Sequence, residues 1–210
     1  MVGGARRFLR DVSFFSAVEH LDDAGWSDLA ELAGPGAMVV LARDEVPTPP
    51  AGWAISEVIP CHQMVVEELK PPPEGEPGIA IRPLTAASSA QALELAGVAQ
   101  PGPFLARTVE LGFAGVVEGD RLVAMAGERL RLPGHSEISG VCTHPDAQGR
   151  GLGAAVTRYV AAGILGRGET PFLHVSHHND GARRLYERLG FTVRRTLEVG
   201  LLTTPPGAGR

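Results

Sequence analysis

Six consecutive residues carry the first chemical signal in this chain: Gln148-Gly149-Arg150-Gly151-Leu152-Gly153. The run before them, residues 137–143, is rich in β-branched side chains and ends at His144-Pro145-Asp146, where proline removes a backbone donor and stops a strand. After them, Leu152, Ala155, Val156, Tyr159, Val160 and Leu165 recur at helical spacing, which predicts a helix from about Gly151. A helix start presents unpaired N–H groups and the positive end of the helix dipole, and glycines let phosphate oxygens approach without meeting a Cβ. Strand, glycine turn and helix together make a pyrophosphate cradle. The Gly-Lys-Ser/Thr of a P-loop is missing, which argues against ATP or GTP. No acidic ribose reader follows at the expected distance, which argues against a dinucleotide. Taken alone, a Gly-x-Gly before a helix is more often only a tight turn.

Other reactive side chains are few. His174, His177 and His178 follow a strand into a loop, where a strand would scatter them and a helix would gather them, so no metal is expected and one of the last two is the better candidate for a base near an acceptor. Cys61 and Cys142 are too few for a disulfide framework, and Cys142 in a strand suits a small buried apolar role better than that of an acyl carrier. Lys70 is the only lysine, leaving Schiff-base chemistry almost no candidate.

A second segment gives the glycine turn its meaning. Asn179-Asp180-Gly181-Ala182-Arg183-Arg184-Leu185-Tyr186-Glu187-Arg188-Leu189-Gly190-Phe191 lies downstream of Gln148, Gly151 and Gly153. Together the two segments resemble the GNAT superfamily of acyl-CoA-dependent N-acetyltransferases. The first matches its Gln/Arg-x-x-Gly-x-Gly/Ala signature, and the second its Asn-x-x-Ala-x-x-Leu-Tyr-x-x-x-Gly-Phe helix and strand. The resemblance covers about residues 79–200. It implies an α/β fold, a mixed and mostly antiparallel central sheet with helices on both faces, whose fourth and fifth strands splay to admit the pantetheine arm of acetyl-CoA.

The resemblance also assigns roles. It implies that the main chain of Val141, Cys142 and Thr143 bonds pantetheine, and that Gln148, Gly149, Arg150, Gly151, Leu152, Gly153 and Ala154 hold the pyrophosphate. At a helix start, whose dipole disfavours cations, Arg150 is easier to understand beside an anion. Tyr186 stands where family members carry the tyrosine that protonates the departing sulfur, although a tyrosine can also serve by packing alone. Asn179 matches a residue that contacts the cofactor arm and is equally a good N-cap. Glu137, eleven residues before Gln148, matches the strand glutamate that deprotonates the amine in histone-acetylating members; near an apolar core its pKa is expected to be raised. The implied reaction is direct attack of an amine on acetyl-CoA in a ternary complex. The alternative is a noncatalytic acyl-CoA-binding sensor. Homodimers are common in the superfamily, and no interface is legible here.

Composition and organisation agree with such a protein. Of the net charge of −5, residues 1–144 carry 10 basic and 19 acidic side chains, and residues 145–210 carry 9 and 5, so the proposed phosphate half is the positive one. An acidic first part would attract a cationic amine. No basic stripe with aromatics suggests nucleic acid, and no apolar run approaches a membrane span. Arg6, Arg7 and Arg10 are followed by Asp11 rather than by a signal-peptide apolar segment, so a cytoplasmic setting is expected. A Pro-rich linker is expected at residues 71–78, between an N-terminal α/β lobe of unknown role over 1–70, which could be a degenerate half of the same fold, and an acetyltransferase domain over 79–204, with a tail at 205–210. Expected strands are 37–41, 63–69, 79–82, 113–117, 121–128, 137–143, 172–176 and 191 onward, with a last one running through Leu201. Expected helices are 26–32, 86–98, 104–111, one from about 151, and 179–189.

Overall fold

The computed structural model describes residues 1–72 and 78–207. Two compact units are present, one formed by Met1–Cys61 with the stretch from Thr196 onward, the other by His62–Arg195. The division thus falls inside two strands, β4 (Ala54–Val65) and β10 (Thr192–Thr203), and not at the Pro-rich segment, of which residues 73–77 lie outside the described residues.

In the first unit, β1 (Ala5–Arg7) pairs antiparallel with β2 (Ser16–Val18), and β3 (Met38–Arg43) pairs antiparallel with the last part of β10 from Glu198↔Arg43 to Thr203↔Met38. Helix α1 (Asp23–Ala33) starts where the Asp22 carboxylate accepts from the Gly25 N–H at 2.9 Å. Its Trp26, Leu29 and Ala33 recur at helical spacing and bury against Val39, Leu41 and Leu202.

The second unit holds the cradle. Strands β5 (Arg82–Pro83), β6 (Phe113–Glu118), β7 (Arg121–Leu132) and β8 (His135–Thr143) form an antiparallel series, and β9 (Thr170–Ser176) joins β8 in parallel. The Glu118-Gly119-Asp120 turn closes β6 onto β7 with Gly119 at φ 59°, as its sequence demands. Helices α3 (Leu152–Gly166) and α4 (Asp180–Leu189) share a core with Ile138, Leu173 and Val175, while α2 (Ser89–Ala99) shares a separate core with Phe113, Met125 and Cys142. The result is the expected mixed, mostly antiparallel sheet flanked by helices.

Local differences have local causes. Strand β4 starts well before residue 63, runs through Pro60, and ends at Val65. The strand expected at 79–82 shrinks to Arg82–Pro83, and the helix expected at 104–111 to a 3-10 turn, Thr108–Leu111. The strands expected after Phe191 and through Leu201 are one continuous strand, because no turn residue interrupts 192–203.

Two glycines let the sheet close over one ring. A Cβ at Gly127 would lie 2.1 Å from the Phe113 ring, and one at Gly140, whose φ is 62°, would lie 2.6 Å from it. Phe104 stands edge-on to Phe113 with ring centroids 5.3 Å apart, closing the other side. Gly127→Ala is therefore expected to destabilise the protein by about 1–3 kcal/mol, as overpacking does. Adding Phe113→Leu should recover part of that loss in denaturant unfolding; a Gly127→Ala protein as stable as wild type would contradict the close contact.

Candidate active site

Strands β8 and β9 pair from His135↔Thr170 to Ile138↔Leu173, and no further. Beyond that point they separate. In the same stretch β8 is bulged against β7: between the pairs Met125↔Cys142 and Gly127↔Ser139, two residues, Gly140 and Val141, oppose Ala126 alone. The positive φ of Gly140 is what the bulge requires.

A cleft of about 750 Å³ runs beside the β8 arm of this fork. Its walls include Val141, Cys142 and Thr143 of β8, then Gln148, Gly149, Gly151, Leu152, Gly153 and Ala154 of the glycine turn, then Asn179 and Tyr186. All the residues assigned to the cofactor from sequence therefore meet there except Arg150. Gly149 and Gly151 have φ of 75° and 77°, and Gly151 is the N-cap of α3. The first intrahelical bond runs from the Ala155 N–H to the Gly151 carbonyl at 3.0 Å, so the preceding N–H groups have no partner within the helix and the positive end of its dipole opens on the cleft. Gly153 keeps the helix close to its support, since a Cβ there would lie 3.3 Å from the Thr143 hydroxyl.

The Asn179 side chain accepts from the Ala182 N–H at 3.0 Å and caps α4, and Gly190, at φ 107°, ends it. The seven-residue interval brings Tyr186 to the cleft on the face Asn179 shares. Burial, with a smaller contribution from nearby Cys142, pushes the Tyr186 hydroxyl up from its ordinary value, so it stays protonated at neutral pH. Burial also pushes the Cys142 thiol up to about 12, which removes it as a thiolate acyl carrier.

Two sequence assignments need correction. Arg150 turns its guanidinium to the Glu118 carboxylate beyond the β6–β7 turn and does not line the cleft. The anion that explains a cation at this helix start is a side chain of the protein itself. Glu137 is fully buried, yet it is not a carboxyl with a raised pKa. Burial does push it up, but the Arg129 charge and the hydrogen bonds from His174 and Arg129 outweigh this and hold it at about 2. Arg129 donates through Nε at 2.8 Å and Nη2 at 2.6 Å, a bidentate pair that consumes both carboxylate oxygens. A base so strongly held ionised accepts protons poorly at neutral pH, so Glu137 does not suit the role of general base.

The histidines diverge. His174 sits against Glu137 with Nδ1 to Oε1 at 2.7 Å and approaches the Gln63 amide nitrogen through Nε2 at 3.2 Å. His177 stacks on His62 at 3.9 Å, with the buried Nε2 of His177 and Nδ1 of His62 unpartnered, and His178 is exposed. Arg129, His174 and Gln63 were not singled out as a set because they come from three strands and share no spacing. Ala182, Leu185 and Arg188, which also line the cleft, follow from the periodicity of α4.

The family comparisons bear on this geometry. The model of FR47-like proteins matches residues 113–199, which span the bulge, the fork, the glycine turn and α4. A solved structure assigned to the GNAT family of acetyltransferases, from Novosphingobium aromaticivorans, is 36% identical, with a TM-score of 0.83 over 97% of this chain and 90% of that one. The chain belongs to the GNAT family. A GCN5-related N-acetyltransferase from Kribbella flavida shares the fold at 22% identity, with a TM-score of 0.61 over 99% of this chain and 89% of that one. A mycothiol acetyltransferase from Mycobacteroides abscessus is 46% identical over 68 residues, 32% of this chain, and the match spans only 23% of that relative's length. Among the described residues of this GNAT protein, no helix is long and apolar enough to cross a membrane.

The Glu137 pair makes a pH-dependent contribution to stability. Because folding lowers the carboxyl pKa, the contribution is complete above the ordinary carboxylate range and is lost as the pH falls toward 2. Glu137→Gln should cost on the order of 3–5 kcal/mol at neutral pH, since it leaves Arg129 without its counter-charge, and should flatten the fall in stability below pH ~4. Urea unfolding as a function of pH checks both.

Proposed function

We propose that this protein transfers an acetyl group from acetyl-CoA to an amine by direct attack within a ternary complex. One observation carries the reading: the end of β8 past its last pair with β9, the unpaired N–H groups at the start of α3, and a protonated tyrosine line a single cleft. Pyrophosphate suits the helix start, because its charge answers the dipole and its oxygens accept from the free N–H groups. Pantetheine is an extended amide chain, and the unpaired edge of β8 from Val141 to Thr143 offers it strand-like hydrogen bonds. The thioester then lies deep in the fork, away from the glycine turn.

Collapse of the tetrahedral intermediate breaks the carbon–sulfur bond and needs a proton for the thiolate. Tyr186 supplies it, since its hydroxyl is protonated by virtue of burial and lines the same cleft. No covalent acyl-enzyme is involved, in keeping with the raised Cys142 pKa. Contact of Arg150 with a cofactor phosphate requires that it first leave Glu118. The mycobacterial relatives are mycothiol acetyltransferases, which supports acetyl as the transferred group. The pairing of Glu137 with Arg129 favours a second reading, a noncatalytic acyl-CoA sensor, because it takes the strand carboxylate out of use.

Calorimetric titration with acetyl-CoA, followed by thiol-release assays with primary alkylamines, amino acids, aminoglycosides and peptides, separates the two readings. Binding with amine-dependent CoA release is the expected outcome. Binding with no release from any amine would favour the sensor, and absence of binding would overturn both. Gly151→Val should abolish acetyl-CoA binding in a folded protein, because φ of 77° disfavours a branched side chain and its Cβ would enter the cradle. Tyr186→Phe should lower turnover by roughly ten- to a thousandfold with little change in acetyl-CoA affinity; an unchanged rate, with chemistry limiting, would remove Tyr186 from the mechanism.

A further inference from the structure

We infer that His174 is the base that takes the proton of the acceptor amine, with Glu137 as the carboxylate that orients it. The inference rests on the proposed acetyl transfer and names a residue for a step which that reading leaves unassigned.

Pairing of β8 with β9 ends at Ile138↔Leu173, so His174 is the first residue of β9 past the apex of the fork. The glycine turn follows the far end of β8, so an arm anchored there by its phosphates and laid along residues 141–143 points its reactive end at the apex. Leu173 and Val175 bury in the core of α3 and α4, which also contains Tyr186. Strand alternation therefore turns His174 to the opposite face of the sheet. A thioester at the apex would have the tyrosine on one side and the imidazole on the other. That is the disposition the reaction needs, with the amine arriving from one face and the sulfur receiving its proton from the other.

The hydrogen-bond network fixes the tautomer. An ionised Glu137 can only accept, so the 2.7 Å contact requires an N–H at Nδ1 of His174. The Gln63 carbonyl oxygen accepts from Arg194 at 2.8 Å and Arg195 at 3.3 Å, which turns its NH₂ toward Nε2 of His174 at 3.2 Å. Nε2 is thus a lone pair that already receives an N–H. An amine can take the place of the Gln63 amide and donate to the same lone pair. Carboxylate to Nδ1–H, with Nε2 free to accept, is the arrangement by which a carboxylate readies histidine for proton abstraction elsewhere in enzymology. The charged groups facing this imidazole are Glu137 and Arg129, with Arg194 and Arg195 behind Gln63.

The step balances. A neutral amine attacks the thioester carbon, forming the carbon–nitrogen bond while an N–H proton passes to Nε2 of His174. The carbon–sulfur bond then breaks, and Tyr186 gives its proton to the sulfur. The proton held by His174 returns to the Tyr186 oxygen through solvent, leaving the N-acetylated amine and CoA thiol.

The test uses the full chain, acetyl-CoA, and whichever amine of the panel the wild type turns over. His174→Asn keeps an N–H for Glu137 and removes the basic nitrogen. It should lower kcat about a hundredfold or more while leaving the acetyl-CoA Kd unchanged. His174→Ala should be slow as well, and added imidazole should restore part of its rate, which it would not do for a residue that only supports the fold. If circular dichroism shows that both variants are unfolded, Gln63→Ala takes their place: it should lower the KM for the amine several-fold, since the amine no longer displaces an amide. Wild-type turnover in folded His174→Asn, absence of imidazole rescue in folded His174→Ala, or an unaltered KM in Gln63→Ala would each overturn the assignment of His174 alone. A wild type that binds acetyl-CoA and acetylates nothing would instead overturn the underlying reading, and the base with it.

Discussion

A carboxylate with no exposure to solvent, Glu137, is the constraint around which the catalytic unit is arranged. Burying that charge without compensation would be prohibitive, so the surrounding strands must deliver donors to it. Strand β7 does so by bulging: between Glu128↔Ile138 and Arg131↔Ser136, Arg129 and Leu130 together oppose Glu137, and the extra residue aims the guanidinium at both carboxylate oxygens. Strand β9 does so by placing His174 two residues past the Phe172 that faces Glu137 in the ladder. The last pair of the β8–β9 ladder, Ile138↔Leu173, lies beside this ion cluster. A polar knot therefore marks where pairing stops.

On the closed side of that knot, further ions hold the strands together. Glu128 is buried and paired with Arg131 and Arg167, and Arg167 reaches on to Glu169, whose carboxylate accepts from the Ser136 hydroxyl at 2.6 Å. Residues of β7, β8 and the chain leading into β9 are thereby tied at one end. On the open side the character changes. Gly140, Val141, Cys142 and Thr143 carry no ionised group, and the cleft walls continue into glycines and a helix start without a side-chain cap. The contrast makes physical sense for a fork that must stay shut at one end and admit a chain at the other: charge pairs are directional and fix register, whereas free N–H groups and glycines wait for an outside partner.

Much of this architecture could be read from local sequence. Gly190 after Leu189, Asn179 before Asp180, and the glycines around Arg150 are helix and turn signals whose physics is confined to a few neighbours, and each lies where its sequence placed it. The fork itself was legible only by resemblance, because separation of two strands leaves no periodic signature. What could not be read was the electrostatic setting of Glu137. Its neighbours suggested an apolar strand and hence a raised pKa, but the sign is decided by Arg129 and His174, eight residues before it and thirty-seven after it. Arg150 misled for the same reason, since its partner Glu118 lies thirty-two residues away on a hairpin. Strand β4 runs from Ala54 to Val65 where a strand over 63–69 was expected, and Pro60, which has no donor for a ladder, is held within it by tertiary context that local sequence does not carry.

The same cluster divides labour between neighbouring side chains. A carboxylate pinned by a bidentate arginine is a poor proton acceptor, but it is a good electrostatic partner, because its charge persists across the neutral range and its oxygens are fixed in space. A histidine facing such a charge gains a defined tautomer and a fixed ring orientation, the two properties that a side chain at the end of a strand lacks when solvent alone surrounds it. Tyr186, on the other face, is governed by the opposite effect. Burial dominates its environment and pushes its hydroxyl up, so the proton is retained at neutral pH. Opposite electrostatic environments thus lie on the two faces of one sheet, an ion cluster where β8 and β9 carry Glu137 and His174 and an apolar core where the sheet packs against Tyr186, and such a division is what pushes the titration of two groups apart.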